Sequence, residues 1–416
     1  MLKSLLIGTF ALWENNERTA INGMIEPMLS FFKPQVKHID LIDGPHPGSS
    51  TVITKYETYS SDKKMVNRVS VISILMYPLL MLQNTISTQV FFKIRDIFAT
   101  LELAIRSKKN FELFIGMESI YTLAGIILRK MGKVNKVVYY VSDYSPNRYG
   151  SSLFNSLYLW LDRMCCYHTN YIWDVSPAMH PARIKAGLKP SKSAPVILVP
   201  NALFKEQISP LPLSKKIPLS LVYAGTLTKS NGPDLAVEAM HYVLEKFPKS
   251  SLHIFGSNGA DQARIKSLIQ KYSLDKSVVF HGFITQVADI TNAINVYSIG
   301  VAPYLDTPRS HRKYGDATKL RLYLGAGLPI ITTSIPPLGK EIEKIGAAIR
   351  IKDNPEALAS AIIDLMHDKK KYNKMRKVAI AYSKQNTWKK TYSNALSQME
   401  LPTPMHKVSP LAPRTP

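Results

Sequence analysis

The sequence is short of acid, of cysteine and of long apolar runs. Asp and Glu number 30 against 53 Lys and Arg in 416 residues, which leaves a formal net charge of +23. Such a surface attracts anionic partners: nucleic acid, acidic lipid or phosphate-bearing small molecules. No nucleic-acid recognition motif and no basic-aromatic interleaving is present, so no specific nucleic-acid partner is expected. The only cysteines, Cys165 and Cys166, are neighbours. Adjacent cysteines rarely form a structural cross-link, so a reducing, cytoplasmic setting is expected. With no CxxC pair and no His-rich tract, no metal site is expected. The longest apolar run, VSVISILMYPLLML from Val69 to Leu82, contains Pro78 and falls short of the roughly 20 residues a spanning helix needs. A core helix is expected there, with contact at a membrane surface as the alternative. Glu14, Glu17 and Arg18 follow the N-terminal apolar run without a small-residue cleavage site, so no signal peptide is expected.

What is present is an alternation of fully apolar strands with helical stretches, the pattern of parallel sheets covered on both faces. In the first half the strands are LLIGTF, FELFIGM, KVVYYVSD, YIWDVS and PVILVPN. A polar connector with Pro210, Pro212 and Pro218 then interrupts the pattern. The alternation restarts at LSLVYAGTL and runs regularly to NPEALASAIIDLMHD. The expected organisation is therefore a first domain over 1–204, a linker over 205–218, a second domain over 219–383, a helix over 384–400 and a disordered proline-containing tail over 401–416. The fold class is α/β, two tandem doubly wound, Rossmann-like domains facing a cleft. Ligands bind such sheets at the C-terminal strand edges, which places a ligand between the domains.

Glycines follow successive strands of the second half at that edge. Gly225 and Gly232 bracket a strand-to-helix loop whose amides can receive phosphate, with Thr226, Lys229 and Asn231 inside it. Gly256, Gly259 and Gly282 end the next two strands. In GDATKLRLYLGAG, Thr318 is expected to cap a helix whose first turn carries Lys319, bringing free amides and an ammonium to one point. Asp316, just before it, is expected to accept sugar hydroxyls. On the first-domain side, SDYSPNRYG supplies Asp143, Tyr144 and Arg148, and GMESIYT supplies Glu118 and Ser119. These residues suit recognition of hydroxyls and a phosphate, and capping or ion-pairing would suit them equally. Asn22 and Gly23 lie near the same edge.

Together, LVYAGTLTKSNGPDLAVEA, LHIFGSNGADQARIKSLIQKYSLDKSVVFHGF and TKLRLYLGAGLPIITT resemble the nucleotide-binding domain of GT-B-fold glycosyltransferases of family 4, which are retaining and use nucleotide sugars. LVPNALF, with Asn201, is similar to the stretch before the family's interdomain linker. QNTWKKTYSNALSQM, with Trp388, is similar to its closing helix, which crosses back to the first domain. The resemblance covers about residues 195 to 399. It implies a donor site at Gly225, Thr226, Lys229, Asn231, Gly256, Phe283, Ile284, Asp316, Thr318, Lys319 and Leu320, catalytic roles for Asp143 and Lys319, and acceptor-side roles for Glu118, Ser119, Tyr144 and Arg148.

The sequence departs from the family at several of its usual positions. Two glutamates fall on Tyr314 and Leu322, a diphosphate-gripping Arg and Lys fall on Thr226 and Asn231, and the histidine of a His-Asp pair falls on Ser142. Retaining transfer asks mainly for stabilisation of developing phosphate charge, which Lys319, a helix N-terminus and loop amides can supply. The expected function is transfer of a sugar from a UDP- or GDP-linked donor to a glycan or lipid-linked acceptor, hexosyltransferase-like. No cofactor is expected besides the substrate itself, and an anionic membrane surface, at its cytoplasmic face, is an expected partner. The alternatives are a catalytically degenerate relative serving as a binding or partner subunit, and a sugar-nucleotide epimerase, which would need cleft carboxylates and histidines that are scarce here.

Overall fold

The computed structural model of the chain describes residues 2–15, 17–19, 23–60, 63–82, 86–150, 152–256, 259–284, 287–308 and 310–400. Asn22 and the proline-containing tail lie outside them. In chain order the first half contains β1 (Ser4–Glu14), β2 (Glu17–Thr19), α1 (Ile25–Phe32), β3 (His38–Pro45), β4 (Lys55–Ser60), β5 (Lys63–Val69), α2 (Val71–Leu75), α3 (Tyr77–Leu80), α4 (Ile86–Arg106), β6 (Phe111–Met117), α5 (Glu118–Lys130), β7 (Val134–Val141), α6 (Leu153–His168), β8 (Tyr171–Asp174), α7 (Met179–Lys185) and β9 (Val196–Leu198). The second half contains β10 (Ser220–Ala224), α8 (Pro233–Lys246), β11 (Ser251–Phe255), α9 (Gly259–Lys271), β12 (Val278–Gly282), α10 (Val287–Ile294), β13 (Ile299–Ala302), α11 (Thr318–Gly325), β14 (Ile330–Thr333), α12 (Pro337–Lys344), β15 (Ala348–Ile351), α13 (Pro355–His367), α14 (Lys369–Gln385) and α15 (Trp388–Ser397).

Two sheets result. The first runs β5-β4-β3-β1-β6-β7-β8-β9 with β2 paired to β1, and the second runs β12-β11-β10-β13-β14-β15. All pairings of the second sheet are parallel, as are those from β3 across to β9 in the first. This is the tandem doubly wound architecture expected from the alternating pattern. The apolar strands account for it: Leu5, Leu6 and Ile7 are fully buried in the first core, as are Leu252 and Ile254 in the second.

The closing helix α15 returns to the first domain. Tyr392 lies among Phe31, Trp173 and Trp388 at ring distances of 5.4, 6.0 and 5.4 Å, and the Trp388 amide donates to the Leu203 carbonyl at 3.1 Å. Residues 205–218 pack on the second domain. The Lys216 ammonium donates to the carbonyls of Asn295 (2.8 Å) and Tyr297 (2.9 Å), and burial brings its pKa down to about 7.

The antiparallel edge β3-β4-β5 and the long helix α4 escape the apolar pattern because charged residues are buried inside them. Asp40 accepts from Tyr56 and Lys109, and Asp43 pairs with Arg18 at 2.7 Å. Arg95 in α4 donates to the carbonyls of Val52 (2.9 Å) and Pro45 (2.8 Å). The expected core helix over Val69 to Leu82 is not one. Pro78 and the Ser70 cap divide the run into α2 and α3, and most of its apolar side chains face outward.

On the far edge of the second sheet, His253 Nδ1 lies 2.9 Å from His281 Nε2. Burial, aided by His281, holds the His253 pKa down to about 4 from its ordinary 6.5. A depressed folded pKa means that this imidazole is protonated first in the unfolded chain. Its contribution is therefore present above pH 6.5 and lost as pH falls towards 4. The melting temperature is expected to fall across that window, and the slope should be shallower in His253→Asn, read by calorimetric scans of both proteins.

Candidate active site

The C-terminal ends of β10, β13 and β7 carry the loops that meet between the domains. After β10 the chain turns through Gly225 to Gly232. Asn231 sits buried beneath this loop, and its side-chain amide donates to the Thr226 carbonyl (3.2 Å), the Thr226 hydroxyl and the Thr228 hydroxyl (2.9 Å). The Tyr223 hydroxyl adds a 2.7 Å bond to the Thr226 carbonyl. Asn231 therefore braces the loop, and the expected donor contact from its amide is corrected: those protons are spent internally. Thr226 is left exposed at the loop tip, and Lys229 lies on its outer turn in solvent. Gly232 has φ +71°, and a Cβ there would lie 1.8 Å from the Pro303 carbonyl oxygen. Gly232→Ala is accordingly expected to cost more than the ~1–2 kcal/mol of a left-handed backbone alone, because two loops of the site must separate. Equilibrium urea unfolding would show it.

The other loop runs from Pro303 to Ala317 and delivers α11. Lys319, in the first turn of that helix, is buried, and its Nζ has no hydrogen-bond partner. It lies 3.7 Å from the centre of the Tyr223 ring and 5.0 Å from that of Tyr304. Gly225 has φ +141°, which disfavours other residues, and a Cβ there would come within 2.9 Å of Lys319 Cε and press on this side chain. Burial, with Arg312 next in weight, holds the Lys319 ammonium well below its usual pKa. The Arg312 guanidinium lies 6.0 Å from the Tyr304 ring, and its buried Nε has no hydrogen-bond partner. No carboxylate among the described residues pairs with either cation. A desolvated lysine facing two aromatic rings, with a half-buried guanidinium near it and no counter-charge, forms a site that an anion completes.

Several expected roles at this helix are corrected. Thr318 does not cap it: the helix begins at Thr318 itself, Ala317 precedes it without a side-chain cap, and the Thr318 hydroxyl accepts from the Asn201 amide at 3.3 Å. Asp316 does not point at a ligand. Arg321 Nε and Nη2 donate to its two oxygens at 2.6 and 3.0 Å, and the Asn201 backbone amide adds a bond at 2.8 Å. Leu320 is fully buried in the second-domain core, and its backbone amide is taken by the Ala317 carbonyl. Gly256 serves loop packing, since a Cβ there would lie 2.2 Å from the Gly225 carbonyl oxygen. Phe283 and Ile284 follow β12, two strands away from β10. Phe283 is exposed and Ile284 packs against a core cluster.

Across the cleft, Asp143 follows β7. Arg148 donates to its backbone carbonyl at 2.9 Å and lies 3.4 Å from Oδ2. Asp143 Oδ1 is buried without a hydrogen bond and faces His311 Nδ1 of the second domain at 3.9 Å. Burial holds the His311 imidazole below its ordinary pKa, against the pull of Asp143. Glu118, at φ +60°, accepts from the Ser142 amide (3.1 Å) and hydroxyl (2.6 Å), so Oε1 fixes the Ser142–Asp143 turn instead of an acceptor. Tyr144 is also corrected: its ring is buried in the first core, 4.8 Å from the Arg183 guanidinium. Ser119 is buried behind the sheet edge, where its carbonyl accepts from the Cys165 thiol. Sequence reasoning missed His311 and Arg312. The signal available was the length and polarity of the Pro303–Ala317 loop, since long structured loops at a sheet edge are usually functional.

Comparison with known proteins agrees with this arrangement. Residues 218–368 match the family model described as glycosyl transferases group 1. The whole fold is similar to that of a sucrose-phosphate synthase from Thermosynechococcus elongatus, at 15% identity over 95% of this chain and 97% of that one, with a TM-score of 0.68. It is similar to Anabaena HepE solved with UDP, at 12% identity over 96% and 100% of the two chains and a TM-score of 0.64. The pneumococcal O-GlcNAc transferase GtfA, solved with UDP and GlcNAc, aligns at 13% identity over 82% of this chain and 63% of that one, with a TM-score of 0.56. No curated protein matches the chain by sequence. The two-domain frame is the GT-B fold, and the stretch that matches the glycosyl transferases group 1 model lies in its second half.

Proposed function

We propose that this GT-B chain transfers a sugar from a UDP-linked donor to a hydroxyl of a glycan or lipid-linked saccharide, with retention at the anomeric carbon. The observation that carries the reading is the unpaired Lys319–Arg312 couple beneath the Gly225 loop. A nucleoside diphosphate supplies the anion this couple lacks. In the transition state, charge accumulates on the leaving diphosphate, and the buried Lys319 side chain, which the bound diphosphate brings to its ammonium form, stabilises it from a fixed position. The N-terminus of α11, which has no side-chain cap and carries Lys319 in its first turn, adds the positive end of its dipole. UDP is favoured over GDP because HepE and GtfA, which share the fold, were solved with UDP.

Asp143 faces this centre from the acceptor domain. Its carboxylate, oriented by Arg148 and by the Glu118–Ser142 bonds, accepts a hydrogen bond from the incoming hydroxyl. His311 comes from the donor domain, so the pair is set only when both domains hold this relative position. In this reading the departing diphosphate takes the acceptor proton, and Asp143 aligns the acceptor.

The test is a thermal shift with UDP, GDP, ADP and UDP-linked hexoses, followed by donor hydrolysis. Stabilisation of roughly 2.7 kcal/mol is expected at a hundredfold excess over the dissociation constant. UDP should give the largest rise, and a UDP-hexose should be slowly hydrolysed. A rise with UDP but no turnover of any donor would favour a degenerate binding subunit. No rise with any nucleotide at millimolar concentration would sink the donor site.

A further inference from the structure

The sugar-transfer cleft makes no use of the outer face of α2 to α6. Helices α4, α5 and α6 pack in sequence along one face of the first sheet, with α2 and α3 against α4, while α1 packs with α15. Large apolar side chains on α2, α3, α4 and α6 point outward. Leu75 is 74% exposed, and Leu79 and Phe98 are exposed beside it. On α6, Leu153 is 84% exposed, and Leu157 and Trp160 continue its stripe at four- and three-residue steps. The opposite side of α6, with Asp162, Cys165 and Cys166, is the buried one. The helix is thus apolar on its outer face, an exposure that soluble proteins rarely sustain over several neighbouring helices.

The charge around this face is of one sign. Between Lys63 and Lys109 the only acidic residues are Asp96 and Glu102. Asp96 is tied to Arg95, and Glu102 to Arg106, the Ser70 hydroxyl and the amides of Val71 and Ile72. Arg68, Lys93, Arg106 and Lys108 remain exposed around the apolar centre. No exposed carboxylate lies on α2 to α6 among the described residues.

We propose that this face docks on an anionic lipid bilayer, the apolar side chains entering the interface and the cations meeting lipid phosphates. Both terms of interfacial binding are present together. A second copy of the chain is disfavoured, because two such faces carry the same sign. Among the described residues no helix is long and apolar enough to cross a membrane, so contact is made by the face. Helix α6 begins directly after the Asp143–Gly150 loop. Docking along it brings a lipid-borne saccharide to the acceptor side of the cleft. This last step rests on the transfer reading, whereas the docking itself does not.

The experiment is co-sedimentation of the full chain with vesicles of phosphatidylcholine containing about one quarter phosphatidylglycerol, against pure phosphatidylcholine, in about 0.1 M salt. Binding to the anionic vesicles is expected, at least about tenfold weaker without phosphatidylglycerol. A Leu75→Glu, Leu157→Glu variant should lose about tenfold or more while keeping its melting temperature and its UDP shift. If the glutamates lower the melting temperature, Arg68→Glu with Lys93→Glu probes the electrostatic half alone. Wild-type protein left in the supernatant, or variants that sediment like wild type, overturns the proposal. So does a wild-type dimer that the glutamates dissociate, which would assign the face to self-association. Vesicle binding without any UDP shift would leave the docking standing and remove only its link to transfer.

Discussion

Lys319→Met is expected to abolish the nucleotide response while leaving the ligand-free protein at least as stable as the wild type. The two halves of that result have one cause. The Lys319 amine is desolvated, has no hydrogen-bond partner and is held well below its usual pKa by burial, with Arg312 adding to it. An apolar side chain of similar length keeps the contacts with Tyr223 and Tyr304 and removes a polar end group that is buried unmet. The apo melting temperature should therefore hold or rise. The diphosphate, in contrast, loses its nearest cation. Transfer should drop by roughly 10²–10³-fold, the scale of removing one preorganised charge-stabilising group, and the UDP-induced rise in melting temperature should vanish.

A proton accompanies this event. A lysine whose folded pKa is depressed carries less charge in the folded chain than in the unfolded one, and its stability contribution is lost as pH falls. A bound diphosphate reverses the local balance and favours the ammonium. UDP binding should thus take up a proton and weaken as pH rises. Titration calorimetry in two buffers of different ionisation enthalpy reads the uptake directly, and Lys319→Met should show none. A variant that keeps the full UDP shift would place the donor elsewhere.

How much of this was legible follows from what a linear pattern can carry. The second domain repeats strand, turn and helix with its apolar residues in step, so its sheet and the position of Lys319 in the first turn of α11 were readable. The missing glutamate at Leu322 was readable too, but its consequence needed the structure. Leu322 is buried in the second-domain core, and Lys319 is left without a counter-charge for the anion to replace. Arg312 and His311 were not readable, because the loop that carries them has no periodicity and its path is set by contacts such as Arg321 with Asp316. The first-domain edge was hidden for a related reason. Asp40, Asp43 and Arg95 resemble surface residues in sequence, yet they are buried with partners from distant segments. The expectation for Asp316 fails in the same way: a polar residue at a sheet edge reads as facing a ligand, whereas Arg321 and the Asn201 amide hold its carboxylate.

Asp316→Ala separates those two roles. The Asp316 and Arg321 side chains are 4% and 5% exposed, with Arg321 Nε 2.6 Å from the carboxylate, and Asp316 also receives the Asn201 amide from the segment that joins the domains. Removing the carboxylate leaves a guanidinium buried without its partner, a change that typically costs 3–5 kcal/mol, so roughly that loss is expected in urea unfolding. Arg321→Met added to Asp316→Ala should recover much of it, since the pair then leaves together. A sugar-binding role predicts a different pattern. The variant would then lose the extra melting shift that a UDP-hexose gives over UDP, and Arg321→Met would restore nothing. With the strut role the extra shift survives in both variants at temperatures where they are folded. Asp316 then acts on the reaction only by holding α11, and with it Lys319, against the interdomain segment at Asn201.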